Sequence, residues 1–387
     1  MRRLTSHAAT LASALILTAP LGAQTASIVY KLGTDTVAIE QYTRAGNKIS
    51  GNMVQRNGPA VARVDYDITF GADNRPTAAT ITRLNGDGTP VANAPTTSRF
   101  KFTADSAIRE NVYPDSVQRR AFAVSKAMVN FPTFVYGPTE LMAAIKKGGG
   151  AVDSLPAIGP TGNIGVTGLQ PAGGDTLRLR GGAYAMLLKY DAKNQLQYTD
   201  GIFTTNKAIG IRGTKSFNIA AVARGMKPTG VLSVRDEARG AFGPGGMVLI
   251  DYGRPLVRER TVWGGTLVPF DTIWRAGAND ATHLFTTRTL ELGSMKLAPG
   301  MYTLWVQHTR TGTFLIVNKQ TGIWGTQYDA TQDIGRVAMQ VTPAPSHVEE
   351  FTIVVKPLTS TRGAIEMSWG SNVLTVPFVT SAAVAGR

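Results

Sequence analysis

Apolar and polar residues alternate with a period of two through most of this chain. SIVYKLG, TVAIEQYTR, KISGNMVQR and VARVDYDITF, between residues 27 and 70, each set apolar side chains at every second position or nearly so. That is the pattern of a strand with one buried and one solvated face. Gly33-Thr34-Asp35, Ala45-Gly46-Asn47 and Asn57-Gly58-Pro59 separate them, and Asp73-Asn74-Arg75-Pro76 leads into TAATITRLN. Residues with turn chemistry at these intervals predict an antiparallel meander. A polar loop over 85–98 precedes the strand SRFKFTA, and over 117–128 the pattern leaves helix and strand undecided.

One helix is predicted over 138–147. Gly137 and Pro138 open it, Glu140 follows in the first turn, and LMAAIKK ends with basic residues ahead of three glycines, in keeping with helix-end preferences. Residues 148–174 are rich in Gly and Pro and are expected to be irregular. Strands resume with DTLRLRGG, AYAMLLKYDA and LQYTDGIFTT, the last two forming a hairpin that turns at Asp191–Asn194. From MVLIDY at 247 onward nine short alternating segments follow at close spacing, punctuated by LAPG, HTRTG and NKQTG. Many short strands with regular turns predict a β-sandwich.

All five tryptophans lie beyond Val262, which marks a boundary in composition. The predicted organisation is a leader at 1–23, an antiparallel β-rich domain with one short helix at 24–225, a linker at 226–245 and a sandwich at 246–380. The fold class is mainly all-β.

The leader carries Arg2 and Arg3, an uncharged apolar run from Ala8 to Pro20, and Leu21-Gly22-Ala23 ahead of Gln24. It reads as a cleaved signal peptide, so export to the periplasm or beyond is expected. No segment approaches the twenty apolar residues of a membrane helix. There is no cysteine, which excludes thiolate chemistry and thiolate metal sites. Net charge is +14, and loss of residues 1–23 removes two arginines and no acid, leaving +12. The basic residues are scattered singly, so a nucleic-acid partner is not expected. The plainer expectation is that this charge keeps the protein soluble; anionic envelope glycans, lipid head groups or peptides are the candidate partners of such a surface.

Chemistry concentrates between Asp251 and Thr282. Arg254, Arg258, Arg260 and Arg275 stand there with Trp263, Trp274 and Asn279. Guanidinium groups bind carboxylate or phosphate in a fork and stack on indole, so these seven residues form a candidate site for an anionic or sugar-like ligand. The plainer expectation is that the arginines pair internally with Asp251, Glu259, Asp271 and Asp280. A competing reading is a hydrolase using Asp251, Asp271 or Asp280 with His283 as general base. A third is an assembly module with no small-molecule ligand. No nucleophile elbow, metalloprotease motif, phosphate loop or calcium loop is present, and neither a cofactor nor a metal is expected.

Residues 247–379 resemble the bacterial family "domain of unknown function 2911". The likeness is carried by Tyr252-Gly253-Arg254-Pro255, Arg258, Arg260, Trp263-Gly264-Gly265, Trp274-Arg275-Ala276-Gly277-Ala278-Asn279, Leu297-Ala298-Pro299-Gly300, Trp324-Gly325, Trp369 and Val376-Pro377-Phe378. Gly253, Glu259 and Thr266 depart from the family pattern. The resemblance implies a domain and assigns no activity.

Overall fold

Strands whose side chains alternate in burial must find partners on both edges, and here sequence neighbours supply them. The computed structural model describes residues 24–56, 58–181, 184–204, 206–230 and 233–381; the expected leader lies outside them. Fifteen strands among the described residues form one sheet. The first eight run as a meander from Gln24–Leu32 at the middle of the sheet to Val117–Ala123 at one edge. The other seven run from Met128–Val129 at the opposite edge back to Ile209–Gly213, which pairs antiparallel with Gln24–Leu32. Among the described residues the only parallel pair in this sheet joins Met128–Val129 to Leu155–Ile158, the two strands that flank the helix α1 (Thr139–Lys147).

The undecided stretch after Val117 is therefore a strand. Residues 148–174, expected to be irregular, also contain strands, Leu155–Ile158 and Ile164–Pro171. They owe their order to pairing in the sheet rather than to their own sequences, which carry Pro156, Gly165 and Gly168.

The sheet is open, and its two ends are drawn together by side chains. Arg109 Nη1 donates to the Gly159 carbonyl at 2.9 Å, Asn111 Nδ2 to that of Pro160 at 2.9 Å, and Arg120 Nη2 to Asn163 Oδ1 at 2.7 Å. Arg119 and Arg120 are exposed on the edge strand, where charge discourages further strand addition. A single core unites Ile28, Ile68 and Phe100 of the first strands with Leu169 and Leu188 of the last, and with Phe134, Leu141 and Ile145 of the helical segment. The sheet thus rolls around α1, whose apolar stripe fills the interior. On the other face a second helix, α2 (Ile219–Gly225), packs Ile219 and Ala223 on Ile39 and Val54. The sequence reading passed over it. Its signals were Asn218, whose side chain accepts the Ala221 N–H at 3.0 Å, and the alanines that follow.

Glu40 occupies an inward position of the strand Asp35–Ala45, between Ala38 and Tyr42, and is fully buried. Its carboxylate accepts from Tyr30 at 2.9 Å, Tyr66 at 2.7 Å, and the backbone N–H groups of Tyr136 and Gly137 at 3.0 Å. Those two N–H groups stand just ahead of α1, so the acid ties the helical segment to the sheet. Desolvation raises its pKa to about 7 against these hydrogen bonds. A second acid, Glu140 in α1, accepts from Tyr42 at 2.6 Å and Arg212 at 3.0 Å.

The second sheet opens at Arg235. Within the expected linker, Arg235–Ala241 is a strand paired antiparallel with Met247–Gly253, and the Gly-Pro-Gly-Gly run is the hairpin turn between them. Two long bent strands, Asp333–Pro357 and Arg362–Thr380, pair with each other and fold back as a second layer. Across the layers Tyr252 Oη accepts the Ile353 N–H at 3.0 Å. The shared core runs from Ile250, Leu284 and Leu304 to Ile353, Met367 and Val376. This is the predicted sandwich. No helix among the described residues is long and apolar enough to cross a membrane.

Glu40→Ala strands two hydroxyls and two backbone N–H groups in an apolar interior, and we expect a loss of about 3 kcal/mol or more in urea unfolding of the full chain. Because the folded pKa lies above the unfolded one, the Glu40 contribution is largest below about 4.5 and fades as pH rises through about 7. Glu40→Gln should flatten that part of the stability profile.

Candidate functional site

Between Met247–Gly253 and Thr282–Thr286 the chain makes a long excursion, broken only by the short strand Ile273–Trp274. Four of its non-glycine residues that bear on the site, Arg258, Glu259, Ala276 and Asn279, have positive φ between 48° and 62°. Each such residue costs of the order of 1 kcal/mol or more, and such strain collects at ligand sites and switches. The tryptophans form its floor. Trp274 stacks on Trp369 at 5.3 Å and meets Trp263 edge-on at 5.9 Å. Its indole N–H donates to the Gly277 carbonyl at 3.1 Å, and that of Trp263 to the Trp369 carbonyl at 3.0 Å. Trp274 is only 4% exposed, so no open indole face is presented there for sugar stacking.

Arg254 and Arg258 pair with acids other than the expected Asp251, Glu259, Asp271 and Asp280. Arg254 bonds Asp236 at 3.1 Å and Glu350 at 2.9 Å, on neighbouring strands. Arg258 reaches into the first sheet to Asp35 at 2.5 Å. Its carbonyl oxygen sits 2.3 Å from where a Cβ on Gly33 would be, so only glycine at that turn lets the two units meet. Arg260 has no carboxylate within ion-pairing distance among the described residues. Its guanidinium donates to the carbonyls of Val257 and Leu256 at 2.9 and 2.8 Å.

Arg258, Arg260, Trp274, Arg275 and Asn279 line one cleft of 240 Å³ at the junction of the two units. Arg254 and Trp263 stand outside it. The sequence reading missed Lys207, which enters from the first sheet and faces this wall. Its ammonium donates to the Ile202 carbonyl at 2.8 Å and approaches that of Thr266, across the junction, at 3.5 Å. Burial lowers its pKa to about 7, with the charges of Arg275 and Arg260 acting the same way and Asp200 opposing. Burial also brings Arg260 down to about 10, with Arg258 contributing. Trp369 lines the cleft too, and its buried indole N–H has no acceptor among the described residues. Cations from both halves thus line one concavity.

The competing acid–base set is only partly assembled. Asp251 and His283 lie opposite each other on paired strands, with Nδ1 4.0 Å from the carboxylate. Arg235 clamps Asp251, its Nε 3.0 Å from Oδ1. His283 Nε2 accepts the Gly322 N–H at 2.9 Å, which occupies the lone pair that a general base needs. Its pKa is lowered by burial and by Arg235, against Asp251 and Asp280. Asp271 belongs elsewhere, its backbone N–H donating to the His308 carbonyl at 2.8 Å.

Fold and cleft together define a β protein of two packed units with a basic pocket at their junction. Residues 235–378 match the family described as "Protein of unknown function (DUF2911)", and no family matches the N-terminal half. The match begins where the second sheet begins. No curated protein matches the chain. Among solved structures, a DUF1089 family protein from Pseudomonas aeruginosa is similar at 9% identity and TM-score 0.30, over 43% of this chain and 90% of that one. Botulinum neurotoxin type C, whose cell entry depends on interaction with two ganglioside molecules, is similar at 9% identity and TM-score 0.11, over 94% of this chain and 90% of that one.

Gly325 lies against the cleft wall, where an added Cβ would fall 1.9 Å from Arg275 Cδ and 2.5 Å from the Asn279 carbonyl oxygen. Gly325→Ala should push the Arg275 stem aside at a cost of about 1–3 kcal/mol. We expect a lowered melting temperature with near-ultraviolet circular dichroism still native.

Proposed function

We propose that this chain is an exported, non-catalytic binding protein that holds an anionic ligand in the cleft between its two β units. The observation that carries the reading is the meeting of Lys207 with Arg260 and Arg275 in one concavity. Like charges pressed together and desolvated are costly, and an anion among them relieves that cost. Anionic envelope glycans, lipid head groups and acidic peptides all present an anionic group. Export is inferred from the basic, apolar and small-residue order of the first 23 residues.

Titration of the full mature chain with glucuronate, inorganic phosphate and a short acidic peptide, followed by tryptophan fluorescence, tests this. Trp274 and Trp369 line the cleft, so occupancy should shift their emission. Saturable binding that Lys207→Gln or Arg260→Gln weakens about tenfold or more, in folded protein, is the expected outcome. Affinity unchanged in both variants would place any binding elsewhere and remove the reading.

The pH dependence follows from Lys207. The ammonium is lost as pH rises through about 7 in the free protein, whereas a bound anion favours keeping it. Affinity should therefore fall from pH 7 toward pH 9, by up to about tenfold per pH unit, with proton uptake on binding. Calorimetry in two buffers of different ionisation enthalpy measures that uptake, and Lys207→Gln should abolish it.

A further inference from the structure

A second concavity, of 340 Å³, lies on the other side of Lys207 and Arg275. It shares Lys207, Leu267, Trp274 and Arg275 with the basic cleft, so the two are compartments of one junction. The second is lined by Ile202, Phe203, Pro269 and Ile273 together with Arg178, Thr272 and Tyr328. Phe203 is 42% exposed although it stands at a junction between two packed units. The Arg178 guanidinium lies over its ring, 5.2 Å from the centroid. A large apolar ring left open in a concave wall beside buried cations is the arrangement of a small-molecule site with a polar anchor. Water takes about 30 Å³ per molecule, so a bare inorganic anion would leave the second compartment essentially unused.

We propose that the ligand of this junction is an organic acid with a planar apolar body, its anionic group among Lys207, Arg260 and Arg275 and its body against Phe203 in the second compartment. This rests on the anion-binding reading above and narrows it to a class. Planarity is favoured because the exposed surface is an aromatic ring already carrying a guanidinium plane, and a flat group can be sandwiched or stacked there. Together the compartments fall within the roughly 300–1,000 Å³ common for such sites.

The test compares naphthalene-1-sulfonate with methanesulfonate, which carry the same anionic group with and without a planar body, by calorimetry on the full mature chain. Wild type should bind the naphthalene compound at least about tenfold more tightly. Phe203→Ala should erase most of that difference and leave methanesulfonate unchanged. Lys207→Gln should weaken both. Phe203 is exposed, so its truncation is expected to leave the fold intact, and circular dichroism checks this. Equal affinity for the two sulfonates, or a preference that Phe203→Ala does not alter, overturns the planar-body proposal while leaving anion binding standing. If neither compound binds, the anion-binding reading falls and this one with it. If the naphthalene compound binds equally well to Lys207→Gln, the apolar site is separate from the cations and the proposal is overturned.

Discussion

A buried carboxylate holds the first unit together. An open sheet must cover its inner face, and here the cover is one helix entered through a stretch with little regular structure. Backbone N–H groups at such an entrance need acceptors once water is removed. Glu40 supplies them for Tyr136 and Gly137 while accepting from two tyrosine hydroxyls. Four donors on two oxygens compensate in part for the burial of the acid, which explains why its pKa rises only to about 7. The position of α1 fixes the interior, and the interior fixes how the two ends of the sheet approach each other.

From there the geometry passes outward to the junction. Gln24–Leu32 and Asp35–Ala45 meet at the Gly33 turn, and the Arg258 carbonyl rests on that glycine with the Arg258 side chain paired to Asp35. A strained loop of the sandwich is thereby docked against a rigid hairpin of the first sheet. The Trp274–Trp369 stack supports the same loop from below. Rigid support on both sides gives preorganisation, which is what keeps a binding loop in one shape before its ligand arrives.

Period-two alternation was enough to read most strands and the sandwich, because burial on one face writes itself into every second residue. It failed where order is imposed from outside, as in Leu155–Ile158 and Ile164–Pro171, where Pro156, Gly165 and Gly168 carry no strand signal of their own. The helix α1 was legible from its ends and starts at Thr139, one residue later than read. Five of seven candidate site residues gather in one cleft, because they lie on one loop. Their partners were hidden by distance along the chain. Asp35 lies 223 residues from Arg258, and Lys207 is a lone lysine with no local pattern. Glu40 did leave a trace, since it interrupts the inward phase of TVAIEQY with an acid, and an acid in that phase asks for buried donors.

The distribution of charge at the junction separates two explanations for the basic cleft. Were these cations present only to hold the units together, acids would oppose them across the junction, as Asp35 opposes Arg258. Lys207 instead approaches a neutral carbonyl of the opposite unit, with Arg260 and Arg275 lowering its pKa further. Arg260 is likewise spent on carbonyls of its own loop. Carbonyl dipoles orient such groups but do not neutralise them, so the cleft stays positive while the contact beside it is balanced. Docking is served by one ion pair, a glycine turn and the Lys207–Thr266 contact. None of these sets an acid against Lys207 or Arg260, and an anionic guest is a physical reason for cations to gather there.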